Sequence, residues 1–172
     1  MSATSRAIGP RLMFVVLPAL LFVLLALPRQ AAAQTTPRLT GEDYAEILQL
    51  YFKYPMVLDS GDAEGYANLF TDDGSFGNRV GRAALLDFVR TRKPSPIRHA
   101  PLTPLITPTA KGASGVVLNL FIDVSQTPGV ITRVSQYTDT LVKTPQGWRF
   151  KTRVNGSADL TATPPSGPNS SR

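Results

Sequence analysis

Apolar positions fall into three regimes along this chain. Residues 12–28 are continuously apolar and uncharged, residues 41–90 repeat apolar positions at roughly helical spacing, and residues 97–154 read as a series of strands. In the middle regime, Thr40-Gly-Glu-Asp43 has the T-x-x-D pattern of a helix N-terminus, which predicts a helix from Gly41. Tyr44, Ile47, Leu48, Tyr51, Met56 and Leu58 form its apolar stripe, Ser60-Gly61 ends it, and Pro55 predicts a kink or tightened turn late in it. A second short helix, capped by Asp62, carries Tyr66, Leu69 and Phe70 on one face. Thr71-Asp-Asp-Gly74 reads as a turn and Ser75-Phe76-Gly77 as a short strand. Gly81 opens a third helix that buries Ala84, Leu85, Phe88 and Val89 and stops within residues 90–96.

From Ile97 onward the pattern predicts strands at residues 97–107, 114–124, 130–142 and 147–154, separated by turns rich in Gly and Pro. Short connections make such strands antiparallel neighbours. Helices followed by a meander define an α+β domain, here a curved antiparallel sheet wrapped around three N-terminal helices, and that shape leaves a cone-shaped pocket able to hold a ligand. The domain is expected over residues 40–160, after a linker at 34–39 and before a Pro- and Ser-rich disordered tail at 161–172.

The N-terminal regime changes the picture of where the domain works. Arg6 and Arg11, the apolar run and Ala31-Ala32-Ala33 follow the three-part order of a secretory signal with cleavage after Ala33, which predicts a secreted or periplasmic protein. An uncleaved anchor is the alternative reading, with membrane association only if residues 12–28 are retained. Residues 1–33 hold three arginines and no acid, so removing them lowers the formal charge from +6 to +3. Arg90, Arg92, Lys93 and Arg98 cluster around Pro94 and Pro96 without interleaved aromatics, which argues for a solvated turn and against a nucleic-acid partner. Cysteine is absent, excluding disulfides, thiol catalysis and thiolate metal sites, and a single histidine leaves no zinc set.

That histidine, His99, is the best candidate for chemistry. An imidazole can take a proton near neutral pH, and a carboxylate partner orients its tautomer. The plain alternative is a satisfied core or surface histidine. Tyr54 is a second catalytic candidate, able to polarise an oxygen, with a structural role as its alternative. Phe70, Phe76, Phe88, Phe121, Tyr137 and Trp148 are candidate core or ligand-lining residues, and imply an apolar ligand where they line an open cavity. Arg153 and Asn155 share a face of the last strand; facing inward, they would bind an acidic or carbonyl group.

The order of elements, with Leu58-Asp59-Ser60-Gly61-Asp62, Tyr66-Ala-Asn-Leu-Phe70-Thr-Asp-Asp-Gly74, Gly81, Arg98-His99 and Tyr137-Thr-Asp139 before Gly147-Trp148-Arg149-Phe150, resembles the nuclear transport factor 2-like superfamily, in particular its SnoaL-like branch. In related enzymes such as scytalone dehydratase, an aspartate ending the first helix orients a histidine base on the first long strand. The resemblance therefore implies that Asp59 pairs with His99, whereas the residues alone leave Asp59 equally readable as a loop or helix cap. It also implies an exposed sheet face that pairs in a homo-oligomer. Two functions follow: a cofactor-free lyase, isomerase or hydrolase acting on a small apolar organic molecule through an Asp59–His99 general base, or a non-catalytic ligand-binding or dimerisation module of the same fold.

Overall fold

The structure is a computed structural model and describes residues 37–158. The expected leader at 1–33 and tail at 161–172 lie outside the described residues, as does the linker up to residue 36. No helix among the described residues is long and apolar enough to cross a membrane.

Helix α1 (Gly41–Ser60) starts where the cap predicts: the Asp43 N–H donates to Thr40 Oγ1 at 3.1 Å, while the Thr40 N–H donates to Asp43 Oδ2 at 2.9 Å. The helix runs through Pro55 to Ser60. It stops at Gly61, whose φ of 76° lets Asp62 N–H reach back to Val57 O at 2.9 Å, a closure that left-handed backbone makes possible. Its buried face is Ile47, Leu50, Tyr51, Tyr54 and Leu58, while Tyr44 and Met56 are exposed, so the predicted stripe is rotated from the real one.

Helix α2 (Ala63–Ala67) is capped by Asp62, which accepts from Gly65 N–H at 2.8 Å. Phe70 does not extend it: that residue begins strand β1 (Phe70–Phe76), which takes in the Thr71–Gly74 segment expected as a turn. The turn residues are accommodated because β1 pairs with the last strand only at Phe70 and again at Ser75 and Phe76, with an irregularity between. A two-residue strand β2 (Arg79–Val80), not anticipated, folds back on β1, and Gly81 then caps α3 (Arg82–Arg90).

The remaining strands are β3 (Ile97–Pro101), β4 (Leu105–Thr109), β5 (Gly112–Asp123), β6 (Val130–Thr144) and β7 (Gly147–Ser157). The segment expected as one strand at 97–107 is two, both antiparallel to β5, with Leu102–Pro104 looping out between them. Pro101 and Pro104 lack the N–H a ladder needs, and the sheet edge tolerates that break. The strand order is β2-β1-β7-β6-β5-β3, antiparallel throughout except that β1 runs parallel to β7. The α+β fold of helices against a curved sheet is thus as expected, with a mixed rather than wholly antiparallel sheet.

The core lies between α1 and the inner face of β5–β7, where Ile47, Tyr51, Tyr54 and Leu58 meet Val117, Tyr137, Leu141 and Phe150. On β7 the buried residues run Trp148, Phe150 and then Arg153, a change of parity. Leu141 pairs with Phe150 but Thr140 pairs with Thr152, so Lys151 is an extra residue, and that bulge turns Arg153 inward.

Candidate functional site

Two polar constellations stand on the inner side of the sheet. The first joins the end of α1 to the start of the sheet edge. Asp59 is the penultimate residue of α1, and His99 lies in β3 opposite Phe121 of β5. The Asp59 carboxylate contacts His99 at two points: Oδ2 accepts the His99 backbone N–H at 2.8 Å, and Oδ1 lies 2.6 Å from ring Nδ1. The side chains of His99 and Asp59 are only 6% and 10% exposed. With the carboxylate ionised and the imidazole neutral, the network assigns the ring proton to Nδ1 and leaves Nε2 as an acceptor. The Phe121 ring packs edge-on against the imidazole, 4.7 Å between centroids. A surface hollow of about 530 Å³ lined by Pro55, Met56, Asp59, Ser60, Arg98 and His99 reaches the pair from outside.

The second constellation is an ion pair in the core. Arg153 presents Nε and Nη2 to Asp139 Oδ1 and Oδ2, each at 2.8 Å, and the Tyr51 hydroxyl donates to the same Oδ2 at 2.6 Å. The rings of Phe150, Tyr54, Tyr137 and Tyr51 surround the guanidinium at 4.0, 4.1, 4.5 and 5.1 Å. Burial disfavours the Arg153 charge, but Asp139 outweighs it and makes the guanidinium still harder to deprotonate. Burial also pushes the Tyr51, Tyr54 and Tyr137 hydroxyls far above the usual phenol range, so they stay protonated. Gly115 on β5 makes room for Tyr51, because any Cβ there would overlap the tyrosine hydroxyl.

The structure distributes the sequence candidates unequally. It brings Asp59 and His99 together. Arg153 does face inward, but Asp139 occupies its bidentate face, so its expected acidic or carbonyl partner is a residue of this chain. Tyr54 makes no hydrogen bond to the dyad; its hydroxyl has no partner among the described residues, and its ring packs against Tyr66, Tyr137 and Phe150. Trp148 serves the far end of α1: its Nε1 donates to Asp43 Oδ1 at 3.0 Å, beside Lys143 Nζ at 2.8 Å. Phe70 packs in the core on Tyr66 and Phe150, and Phe76 pairs with Phe88 beneath Arg79 and Arg92. Tyr137 belongs to the Arg153 cage, leaving Phe121 as the predicted aromatic that touches the dyad.

Of the clustered cations, Arg90 bonds Glu64 at 2.8 Å and Arg98 bonds the Ser95 and Ile97 carbonyls. Sequence reasoning misses Asp139 and Tyr51 as the partners that complete the ion-pair network. The pairing of Tyr51 with Asp139 spans 88 residues and depends on a glycine opposite, a coincidence that no local pattern signals.

Residues 40–154 match the family model of the SnoaL-like domain, and the chain belongs to that family. Among solved structures it is similar to an NTF2-like protein with a cystatin-like fold from Novosphingobium aromaticivorans, at 27% identity and a TM-score of 0.63, covering 70% of this chain and 85% of that one. It also resembles a protein of unknown function from Mycobacterium tuberculosis, at 24% identity and a TM-score of 0.59 over 76% and 80% of the two chains. Aln2 from a Streptomyces species shares the fold at 21% identity and a TM-score of 0.62 over 72% and 96%. A search of curated proteins finds no match.

Proposed function

We propose that this chain is an exported SnoaL-like domain that binds a small organic molecule and acts on it with His99 as general base, oriented by Asp59. The observation that carries the reading is the double contact of Asp59 with His99, at 2.6 Å on the ring and 2.8 Å on the backbone. One contact alone would suit a structural cap; the pair fixes both the position and the tautomer of the imidazole, as a base requires. The chemistry that follows is removal of a proton from carbon beside a carbonyl or a leaving group, or activation of water. These are the steps of an isomerase, a lyase or a hydrolase, and none needs a cofactor. Such a base contributes on the order of a hundredfold to ten-thousandfold in rate.

The test begins with mass spectrometry of small molecules that co-purify from the native host, followed by turnover assays on each. His99→Ala is expected to lower turnover about a hundredfold or more while the ligand still binds. Undiminished turnover in that variant overturns the assignment of the base, and a bound ligand that no variant or wild type converts favours a binding module. Export rests on the leader-like residues 1–33, and N-terminal sequencing of the mature protein is expected to begin at Gln34.

A further inference from the structure

Helix α1 carries a second stripe, turned away from the core. Leu48, Phe52, Met56 and Asp59 follow one another at helical spacing and so share one face. Phe52 and Met56 are 67% and 70% exposed, and Leu102, in the loop after β3, is 47% exposed. Large apolar side chains left in water next to one another mark a surface that binds something. Strand β3 runs back along this side of the helix, with Pro101 beside Leu48 and Phe52 and His99 beside Met56 and Asp59.

Three hollows follow the seam between helix and sheet edge. The first, of about 660 Å³, is apolar, with Leu48, Tyr51 and Phe52 on one wall and Pro101, Leu102 and Pro104 on the other. The second holds the dyad. The third, of about 270 Å³, lies past the end of α1, where Arg92, Lys93 and Arg98 line it with Ser60 and Ser95. Asp59, Ser60 and Arg98 line both the second and the third, so these two are continuous. None of the three cations pairs with a carboxylate among the described residues. Arg98 is braced through Nη1 alone, which donates to the Ser95 and Ile97 carbonyls at 2.9 and 3.1 Å and leaves Nε and Nη2 to other acceptors. Asp59 is the one acid on the walls of the three hollows, and both its oxygens are committed to His99. The seam therefore changes from apolar at one end to cationic at the other, and at 1.5 Å per residue Leu48 and Asp59 stand about 16 Å apart along it.

We propose that this outer seam binds a free medium-chain carboxylate, with the chain laid along α1 over Phe52 and Met56 and the carboxylate held by Arg98 and Lys93. The complementarity is of two kinds at once. A cleft lined by one sign of charge attracts the opposite sign, and guanidinium and ammonium groups bond carboxylate oxygens with charge assistance. The exposed apolar side chains leave water when the chain covers them. A free acid suits the seam better than a membrane does, because a bilayer presents its headgroups first and keeps its chains in lipid, away from the apolar hollow. The assignment rests on the reading that the Asp59–His99 end of α1 meets a small molecule, and it requires no proton transfer by His99.

The full chain is titrated near neutral pH with decanoate, decanol and acetate, which carry chain and charge, chain alone and charge alone. Calorimetry reads affinity, and the ¹H–¹⁵N spectrum reads which backbone amides respond. Decanoate is expected to bind at least about tenfold more tightly than either of the others and to shift amides in residues 48–60 and 92–99. The double substitution Arg98→Gln/Lys93→Gln is expected to weaken decanoate at least about tenfold and to leave decanol unchanged. Phe52→Ser is expected to weaken both chain-bearing compounds, and all three substituted side chains are exposed, so the fold survives their loss. In His99→Gln the affinity for decanoate is expected to persist while any turnover falls, so a failure of the base and a failure of the seam are read separately. Equal affinity for decanoate and decanol, no binding of decanoate, or shifts confined to β5 and β6 would overturn the assignment. So would capture of the chain by phosphatidylglycerol vesicles without binding of decanoate, since the cations would then meet a membrane surface.

Discussion

The two carboxylate oxygens of Asp59 hold two different parts of His99, Oδ2 its backbone N–H at 2.8 Å and Oδ1 its ring Nδ1 at 2.6 Å. The backbone contact sets where the strand begins relative to the helix end, and the ring contact sets which nitrogen remains to accept a proton. A single aspartate thereby couples the docking of β3 onto α1 to the orientation of the imidazole.

In the neutral imidazole the proton is expected on Nδ1. Long-range ¹H–¹⁵N correlation at alkaline pH checks this directly: wild type should show an unprotonated Nε2, and Asp59→Asn should show a mixture of tautomers. A predominant Nε2–H form in the wild type would contradict the geometry.

The Arg153–Asp139 pair is buried and bidentate, so removing one partner strands the other charge. Asp139→Asn and Arg153→Met are each expected to destabilise the domain by about 3–5 kcal/mol in denaturant unfolding. The double substitution Arg153→Met/Asp139→Leu should recover much of that loss, because an apolar replacement leaves no charge uncompensated.

Gly115→Ala forces its new Cβ against the Tyr51 hydroxyl. The expected cost is roughly 1–3 kcal/mol, as for other overpacked core positions. In a Tyr51→Phe background the clash disappears with the hydroxyl, so a double-mutant cycle should show a smaller cost there. Equal costs in the two backgrounds would place the strain elsewhere.

The Asp43 carboxyl is held well below the usual carboxylate range, first by Lys143, then by the Thr40 N–H and by Trp148. A depressed folded-state value means the contribution to stability is fully present above the unfolded value of 3.8 and is lost as pH falls through the folded one. Asp43→Asn should therefore be less stable than wild type at pH 7, and the gap in denaturation midpoints should shrink between about pH 4 and pH 2. A gap independent of pH would remove the charged contacts as its source.

Much of this arrangement is readable in the chain because it is local. The Thr40–Asp43 cap, the Gly61 stop, the Asp62 cap and the Gly81 opening each depend on residues within a few positions, and each sits where the pattern puts it. The departures occur where neighbours in space outweigh neighbours in sequence. Thr71-Asp-Asp-Gly74 has turn chemistry, yet pairing with β7 on either side draws it into β1. Spacing alone puts Tyr44 and Met56 in the α1 stripe, but docking against the sheet selects Leu50 and Tyr54 instead.

The site divides along the same line. Motif order and the resemblance it carries put Asp59 beside His99, whereas the roles of Trp148, Tyr54 and Arg153 could not be read from residue type. Trp148 reaches Asp43 across 105 residues, and Arg153 turns inward only because Lys151 bulges. Strand alternation fixes relative facing, and a single extra residue reverses it.

What the sequence by itself determined is therefore the three helices and where they start, the long strands that follow them, the α+β class, and one histidine with one aspartate at positions a known fold brings together. Those features rest on capping, periodicity and turn chemistry, which act over a few residues. Only the tertiary structure decided that Arg153 binds Asp139 within the core, that Tyr51 completes that pair through the space left by Gly115, and that Asn119 and Ser135 face each other, buried, across β5 and β6. Each of these depends on register across a twisted sheet, where a shift of one residue exchanges the two faces, and register is set by the packing of the whole domain.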